Sequence, residues 1–246
     1  MSSVVSEDVN VISSNAETSE EDKESDDSNE EHFYENAKHY WAKIPATVDG
    51  MLGGYGFISQ CDLESSARFL QSLLEAKDGP GGMRALDCGA GIGRITKHLL
   101  MKYFKVVDLV EQNKDFIEKV NEFIGPSKKL GKLYCTGLQS FVPEEKYDVI
   151  WCQWVLGHLT DEDLIKFLKL CQCALSVNGL IVIKENVTSS GEREKDHVDS
   201  SITRPFHALL DIFKSSDLRI IKMEQQTKFP KGLYPVKMFA LKPNSQ

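Results

Sequence analysis

The chain has no apolar run of about 18 residues, the length a helix needs to cross a bilayer, so no transmembrane helix is expected. Its first residues are acidic and polar, which suits neither a secretory signal nor a transit peptide. There is no Gly-Lys-Ser/Thr, which excludes a P-loop, and no G-x-G-x-x-G, which removes the dinucleotide fingerprint. The cysteines, at 61, 88, 135, 152, 171 and 173, show neither a zinc-ligand spacing nor a disulfide framework. Several lie in apolar, strand-like segments, as buried thiols of an intracellular protein do. Cys171 and Cys173 are two apart in an expected helix and should point to different faces. No internal repeat is visible. A concentrated basic surface is missing as well, which argues against direct capture of nucleic acid.

The net charge is −8, and it is unevenly placed. Residues 1–31 hold eleven Asp/Glu and one Lys, a net of −10, so the remainder carries about +2. Rich in Ser, Glu and Asp and free of aromatics, residues 1–31 are expected to be a disordered, solubilising tail. The other residues, 32–246, suffice for one α/β domain with a full core. Nucleus or cytoplasm, no membrane contact and a monomeric state are the expectations for location and assembly.

What is present centres on Arg84-Ala-Leu-Asp-Cys-Gly-Ala-Gly-Ile-Gly-Arg94. A short apolar run ends at Asp87, glycines follow at 89, 91 and 93, and a helix-compatible stretch starts at Ile95. This pattern is a buried strand, a tight turn that lets a ligand approach bare backbone, and a helix N-terminus. The third glycine comes one residue too early for a dinucleotide. An acid two residues before the first glycine suits a cofactor with a cationic amine, such as S-adenosylmethionine. The pattern resembles the first motif of class I methyltransferases.

Elsewhere the chain reads as alternating elements. Phe33, Tyr34, Ala37, Tyr40, Trp41 and Ile44 recur at helical spacing until Pro45. The loop Thr47–Gly56, with four glycines, has the composition of a lid, though also of an ordinary connection, and the whole of 32–82 is expected to form a helical, Gly-rich lid. Asp62 is placed to cap a helix over 63–76. Strands are expected at 84–88, 105–110, 132–135, 147–154, 180–183, 217–224 and 234–241, with helices at 93–103, 115–124, 161–175 and 205–214. Residues 187–201 read as a polar loop. The outcome is α/β: a doubly wound, mainly parallel seven-stranded sheet of the class I methyltransferase, Rossmann-like type, with an N-terminal helical extension. Ligands of such sheets sit beyond the carboxyl ends of the strands. There Glu111 is placed either to accept from a ribose diol or to serve as an acid at the next helix N-terminus.

Several strings resemble one family. They are Tyr40-Trp41, Ile44-Pro-Ala-Thr-Val-Asp-Gly-Met-Leu-Gly-Gly-Tyr-Gly56, Leu86-Asp-Cys-Gly-Ala-Gly-Ile-Gly-Arg-Ile-Thr-Lys97, Gln153-Trp-Val-Leu-Gly-His-Leu-Thr-Asp161 and Val198-Asp-Ser-Ser201. They are similar to the protein α-N-terminal methyltransferases, which act on N-termini that begin, after Met removal, with Xaa-Pro-Lys or Xaa-Pro-Arg. The resemblance runs over roughly 32–242. It implies S-adenosylmethionine as cofactor, held by Gly89, Arg94 (on the carboxylate), Glu111 (on the ribose), Leu138, Gln139 and Gln153. One member of the family carries Asp at the position of Glu111, with Gln112 and Asn113 also changed, and 187–195 is not family-like. For the substrate it implies Trp154 against the proline, Asn186 on the incoming backbone, and Asp196, Asp199 and Ser201 along an acidic channel, with Trp41, Gly53 and Tyr234 as further walls.

The chemistry implied is removal of a proton from an amine of pKa about 8, by His158 assisted by Asp199, before in-line attack on the methyl group. Taken without the resemblance, a histidine after a strand is more often structural, Trp154 more often core, and Asp196 and Asp199 more often solvated. Two other functions fit the residues: a class I methyltransferase for a small cationic amine, and a cofactor-binding interaction module without catalysis.

Overall fold

The computed structural model describes residues 32–244; the expected acidic tail, 1–31, and residues 245–246 lie outside the described residues. A helix over 32–41 (α1) leads through α2 (Val48–Met51) and a 3-10 turn, Gly56–Ile58, into α3 (Ser59–Leu74). The alternating part comprises β1 (Arg84–Cys88), β2 (Val106–Glu111), α5 (Lys114–Ile124), β3 (Leu130–Cys135), β4 (Tyr147–Gln153), α6 (Asp161–Cys173) and β5 (Leu175–Thr188). Between β1 and β2 a π-helical turn, Thr96–Leu100, runs on into α4 (Met101–Tyr103). After β5 come β6 (Glu194–Asp196), β7 (Ser201–Pro205), α7 (Phe206–Ser215), β8 (Leu218–Gln225) and β9 (Val236–Pro243).

The main sheet runs β3-β2-β1-β4-β5-β9-β8, parallel from β3 to β5, with β9 antiparallel to both β5 and β8. These are the seven expected strands. All seven positions of β4 are buried, the signature of a central strand covered on both faces. Side chains alternate between the two faces. Leu86, Ile150 and Ile181 pack with Leu164, Phe167 and Phe213 of α6 and α7. Ala85, Val149 and Val182 pack with Phe69, Leu70 and Leu99 of α3 and the π turn. Thus α3, although it precedes the alternating part, forms one of the two covering layers.

Three expectations change. Residues 187–201 are not a loop throughout: β6 and β7 pair antiparallel, and β7 adds in parallel to the end of β5 at Val187 and Thr188. The ladder hydrogen bonds of an edge, not an apolar pattern, build this hairpin, so composition did not reveal it. The helix after the glycine turn is π-wound over Thr96–Leu100. Asp87 Oδ2 accepts from both the backbone N–H (2.9 Å) and the hydroxyl (2.6 Å) of Thr96, drawing that turn onto the strand. Finally, Asp62 caps nothing: α3 starts at Ser59, and Asp62 lies fully buried on its inner face.

Candidate active site

The carboxyl ends of β1, β2 and β4, with α1 and α2 laid across them, enclose a cleft of about 980 Å³, its open mouth included. The glycine turn forms its floor. A Cβ on Gly89 would lie 2.3 Å from Val155 Cγ2, and one on Gly91 2.5 Å from Met51 Sδ. Both glycines have positive φ, +67° and +56°, so only bare backbone fits between these neighbours. Asp87 faces the same space, its carboxyl pushed up to about 6 by burial against the opposing effect of the Thr96 bonds.

Glu111 closes β2. Its Oε2 accepts from Gly91 N–H (2.9 Å) and its Oε1 from Asn113 N–H (2.8 Å), while burial raises its pKa. It therefore braces the glycine turn and still has lone pairs toward the cleft. Leu138 is buried and Gln139 exposed; both line the same wall.

The side wall is a buried polar cluster. Asp62 Oδ2 pairs with Arg94 Nη1 at 2.7 Å; its Oδ1 takes Gln153 Nε2 at 2.8 Å and Lys184 Nζ at 2.5 Å. Arg94 Nη1 also reaches Ser59 Oγ, and Lys184 donates to Ser66 Oγ and Gln226 Oε1. Burial pushes the Lys184 ammonium down and the Asp62 carboxylate holds it up.

Next to this cluster stands Trp154, and beyond it His158 and Trp41. Trp154 follows β4 with φ 53°, a left-handed backbone rare for a bulky residue and of the kind found at ligand sites. Arg94 lies 5.9 Å and Lys184 6.0 Å from its ring centre. Glu185 Oε1 holds the turn that follows, accepting from the N–H groups of Val155 and Leu156 at 2.8 Å each. Burial pushes the Glu185 carboxyl up to about 7.

His158 is half-buried with both ring nitrogens engaged. Trp41 Nε1–H donates to Nε2 at 3.0 Å, and Nδ1 lies 3.2 Å from the carbonyl of Ser200. A carbonyl only accepts, so Nδ1 carries the hydrogen and Nε2 the lone pair: a neutral ring of defined tautomer. Burial lowers the His158 pKa, and the charge of Asp199 raises it.

The remaining expected residues lie outside this cleft. Asp196 and Ser201 line an adjoining groove with Asp161, Arg193 and Lys195. Gly53 is exposed, while its neighbours Met51 and Leu52 line the cleft. Asn186 sits partly buried on β5, and the exposed Tyr234 donates its hydroxyl to Glu194. Asp199 belongs to the β6–β7 turn. The charges of Asp199 and Asp196 help burial to raise the Tyr40 hydroxyl, so this turn faces α1. Among the described residues, Trp154 Nε1 and Asp199 Oδ1 are buried polar atoms without a hydrogen-bond partner.

The sequence reading missed Asp62, Lys184 and Glu185. Lys184-Glu185 directly after an apolar strand was a usable signal, since charged residues there either meet solvent or a ligand site. Asp62 left none, because its partners lie 32, 91 and 122 residues away.

A cradle that no Cβ can enter, an acid at the end of β2, an apolar wall at Leu138 and a buried cation at Arg94 together suit S-adenosylmethionine. With the strand order, they define a class I S-adenosylmethionine-dependent methyltransferase. Comparison with known proteins narrows the class. Residues 29–242 match the model of the AdoMet-dependent proline di-methyltransferase family, and the chain belongs to that family. It is 50% identical over 216 residues to N-terminal Xaa-Pro-Lys N-methyltransferase 1-B of Xenopus laevis, covering 87% of this chain and 96% of that one. It is 46% identical over 221 residues to alpha N-terminal protein methyltransferase 1 of Drosophila melanogaster, covering 88% and 79%. Among solved structures, a SAM-dependent methyltransferase of Leishmania major superposes with a TM-score of 0.80 at 39% identity, covering 85% of this chain and 83% of that one.

Proposed function

We propose that this protein methylates the α-amino group of protein N-termini that begin, once Met is removed, with Xaa-Pro-Lys or Xaa-Pro-Arg. The observation that carries this reading is the meeting of Trp41, Trp154 and His158 in one cleft with the glycine turn. Two indoles line the cleft, Trp154 for the proline ring and Trp41 as a further wall, and a neutral imidazole stands against Trp41. S-adenosylmethionine, when bound, supplies a methyl group on a sulfonium that a neutral amine can attack.

Each residue then has a task. Gly89 lets the cofactor touch backbone, Glu111 accepts from the ribose hydroxyls, and Leu138 and Gln139 flank the adenine. Arg94 pairs with the carboxylate and Gln153 holds the methionine portion. On the substrate side Trp154 packs on the proline, while Asn186 takes the peptide backbone as it enters. Asp196 and Ser201 line the groove toward a third-position cation, with Gly53 and Tyr234 at its rim. An α-amine of pKa about 8 is mostly protonated at neutral pH. The proton goes to His158 Nε2, the ring's only lone pair, as the incoming amine displaces the Trp41 N–H. Asp199 stabilises the resulting imidazolium, and its unpartnered Oδ1 receives an N–H of the substrate.

The protein acts as a monomer on protein substrates, with no direct role for nucleic acid or membrane. The six free thiols support residence in nucleus or cytoplasm. The test offers labelled S-adenosylmethionine with Ser-Pro-Lys, Ser-Ala-Lys and N-acetylated Ser-Pro-Lys peptides. Label should enter the first far faster than the second and be absent from the third. Equal labelling of the first two would remove the proline contact, and labelling of the third the α-amine. Turnover of small cationic amines in place of peptides would favour a metabolite enzyme, and cofactor binding with no turnover at all an interaction module.

A further inference from the structure

The cofactor's amino-acid end meets two side chains, Arg94 and Gln153, that come from different parts of the sheet. Each is buried, and each is oriented by other protein atoms. Gln153 is fixed at both ends of its amide: Oε1 accepts from Trp151 Nε1 at 3.1 Å, and Nε2 donates to Asp62 at 2.8 Å. Arg94 gives Nη1 to Asp62 and Ser59, while among the described residues nothing takes its Nε or Nη2 hydrogens. That edge is the one a planar carboxylate accepts in bidentate fashion. The same Asp62 carboxylate also carries Lys184, which is fully buried.

We infer that Asp62, on α3, is the positioning residue of the cofactor's amino-acid end: a single carboxylate aims Arg94 and Gln153 together and ties both to Lys184 beneath them. Asp62 touches neither cofactor nor substrate and acts through the residues it holds. Charge supports the assignment. Two buried cations share this one buried anion, so the cluster carries +1 until a ligand carboxylate arrives. Without Asp62 the two cations would repel each other, and the guanidinium would lose its fixed edge. The helix that carries Asp62 lies ahead of the glycine turn in sequence and covers one face of the sheet. Its packing thereby sets the geometry of a site to which it contributes no ligand.

The inference rests on the cofactor reading above, and calorimetric titration of the full chain separates the two. The probes are S-adenosylhomocysteine, which has the amino-acid end, and 5′-methylthioadenosine, which lacks it. If the wild type fails to bind S-adenosylhomocysteine, the cofactor reading falls. With binding established, Asp62→Asn should weaken S-adenosylhomocysteine at least tenfold, leave methylthioadenosine within twofold, and raise KM for S-adenosylmethionine with kcat and peptide KM nearly unchanged. Unchanged S-adenosylhomocysteine affinity overturns the inference, and so does an equal loss for both probes, which is what mere loosening of the fold gives. Asp62→Asn leaves the buried Lys184 without its counter-ion, so the comparison is repeated in Asp62→Asn/Lys184→Met, which removes that amine. The same split between probes is expected there, and the double variant decides the matter if the single one does not fold.

Discussion

Replacing Trp41 by Phe keeps an aromatic ring in the cleft and removes one hydrogen bond, the 3.0 Å contact from Nε1–H to His158 Nε2. That bond exists only while His158 is neutral, because a protonated Nε2 has no lone pair to offer. A net hydrogen bond is worth about 1 kcal/mol. Lost from the neutral form alone, it raises the His158 pKa and favours the imidazolium by about fivefold, since about 1.4 kcal/mol is a factor of ten. Asp199→Asn acts in the opposite direction, because the Asp199 charge now holds the His158 pKa up against burial. Two measurements read this. Nitrogen NMR of ring-labelled protein should find Nδ1 protonated and Nε2 bare in the wild type, with a titration moved upward in Trp41→Phe and downward in Asp199→Asn. The acid limb of kcat/KM against pH, which reports the free enzyme, should move in the same two directions. Peptide KM rises in Trp41→Phe as well, so the position of the limb is the observable, not its height. A ring protonated at Nε2, or limbs that shift together, would refute the tautomer and the proton path built on it.

Gly89→Ala forces a Cβ to within 2.3 Å of Val155 and sets an L side chain at φ +67°, together about 2–5 kcal/mol. S-adenosylhomocysteine binding should vanish and Tm fall by several degrees. Gly191→Ala, at φ +83° with open space around it, should cost only about 1–2 kcal/mol and leave binding intact. Glu185 gives a pH signature. Its folded pKa, about 7, lies above the unfolded 4.5, so the folded state holds its proton longer. Stability from this group is therefore full below pH 4.5 and is lost as pH rises toward 7, by at most about 3 kcal/mol. Glu185→Gln keeps an acceptor for Val155 and Leu156 but cannot ionise. Its urea midpoint should gain on the wild type between pH 5 and 8, and a difference independent of pH would show that Glu185 does not titrate there.

The seven strands of the main sheet, the glycine turn and the ends of β2 and β4 follow from the sequence alone. Apolar runs that end in Asp87, Glu111 and Gln153 announce buried strands opening on a ligand, and alternate glycines admit few other backbones. Gly89, Arg94, Glu111, Leu138, Gln139 and Gln153, which the family resemblance assigns to the cofactor, all line one cleft. What faces a side chain from a distant segment was not legible. The polar composition of 187–201 hid a hairpin, because edge pairing is made by backbone groups that every residue carries. Asp62 read as a helix cap, since local pattern cannot see an arginine, a glutamine and a lysine brought to it from three other elements. His158 could be named as a base, but the nitrogen that holds its lone pair depends on Trp41 and on the carbonyl of Ser200, 117 and 42 residues away. Periodicity and turn chemistry are local and survive in the sequence. Charge pairing and tautomer depend on distances of about 3 Å, which exist only once the chain has folded.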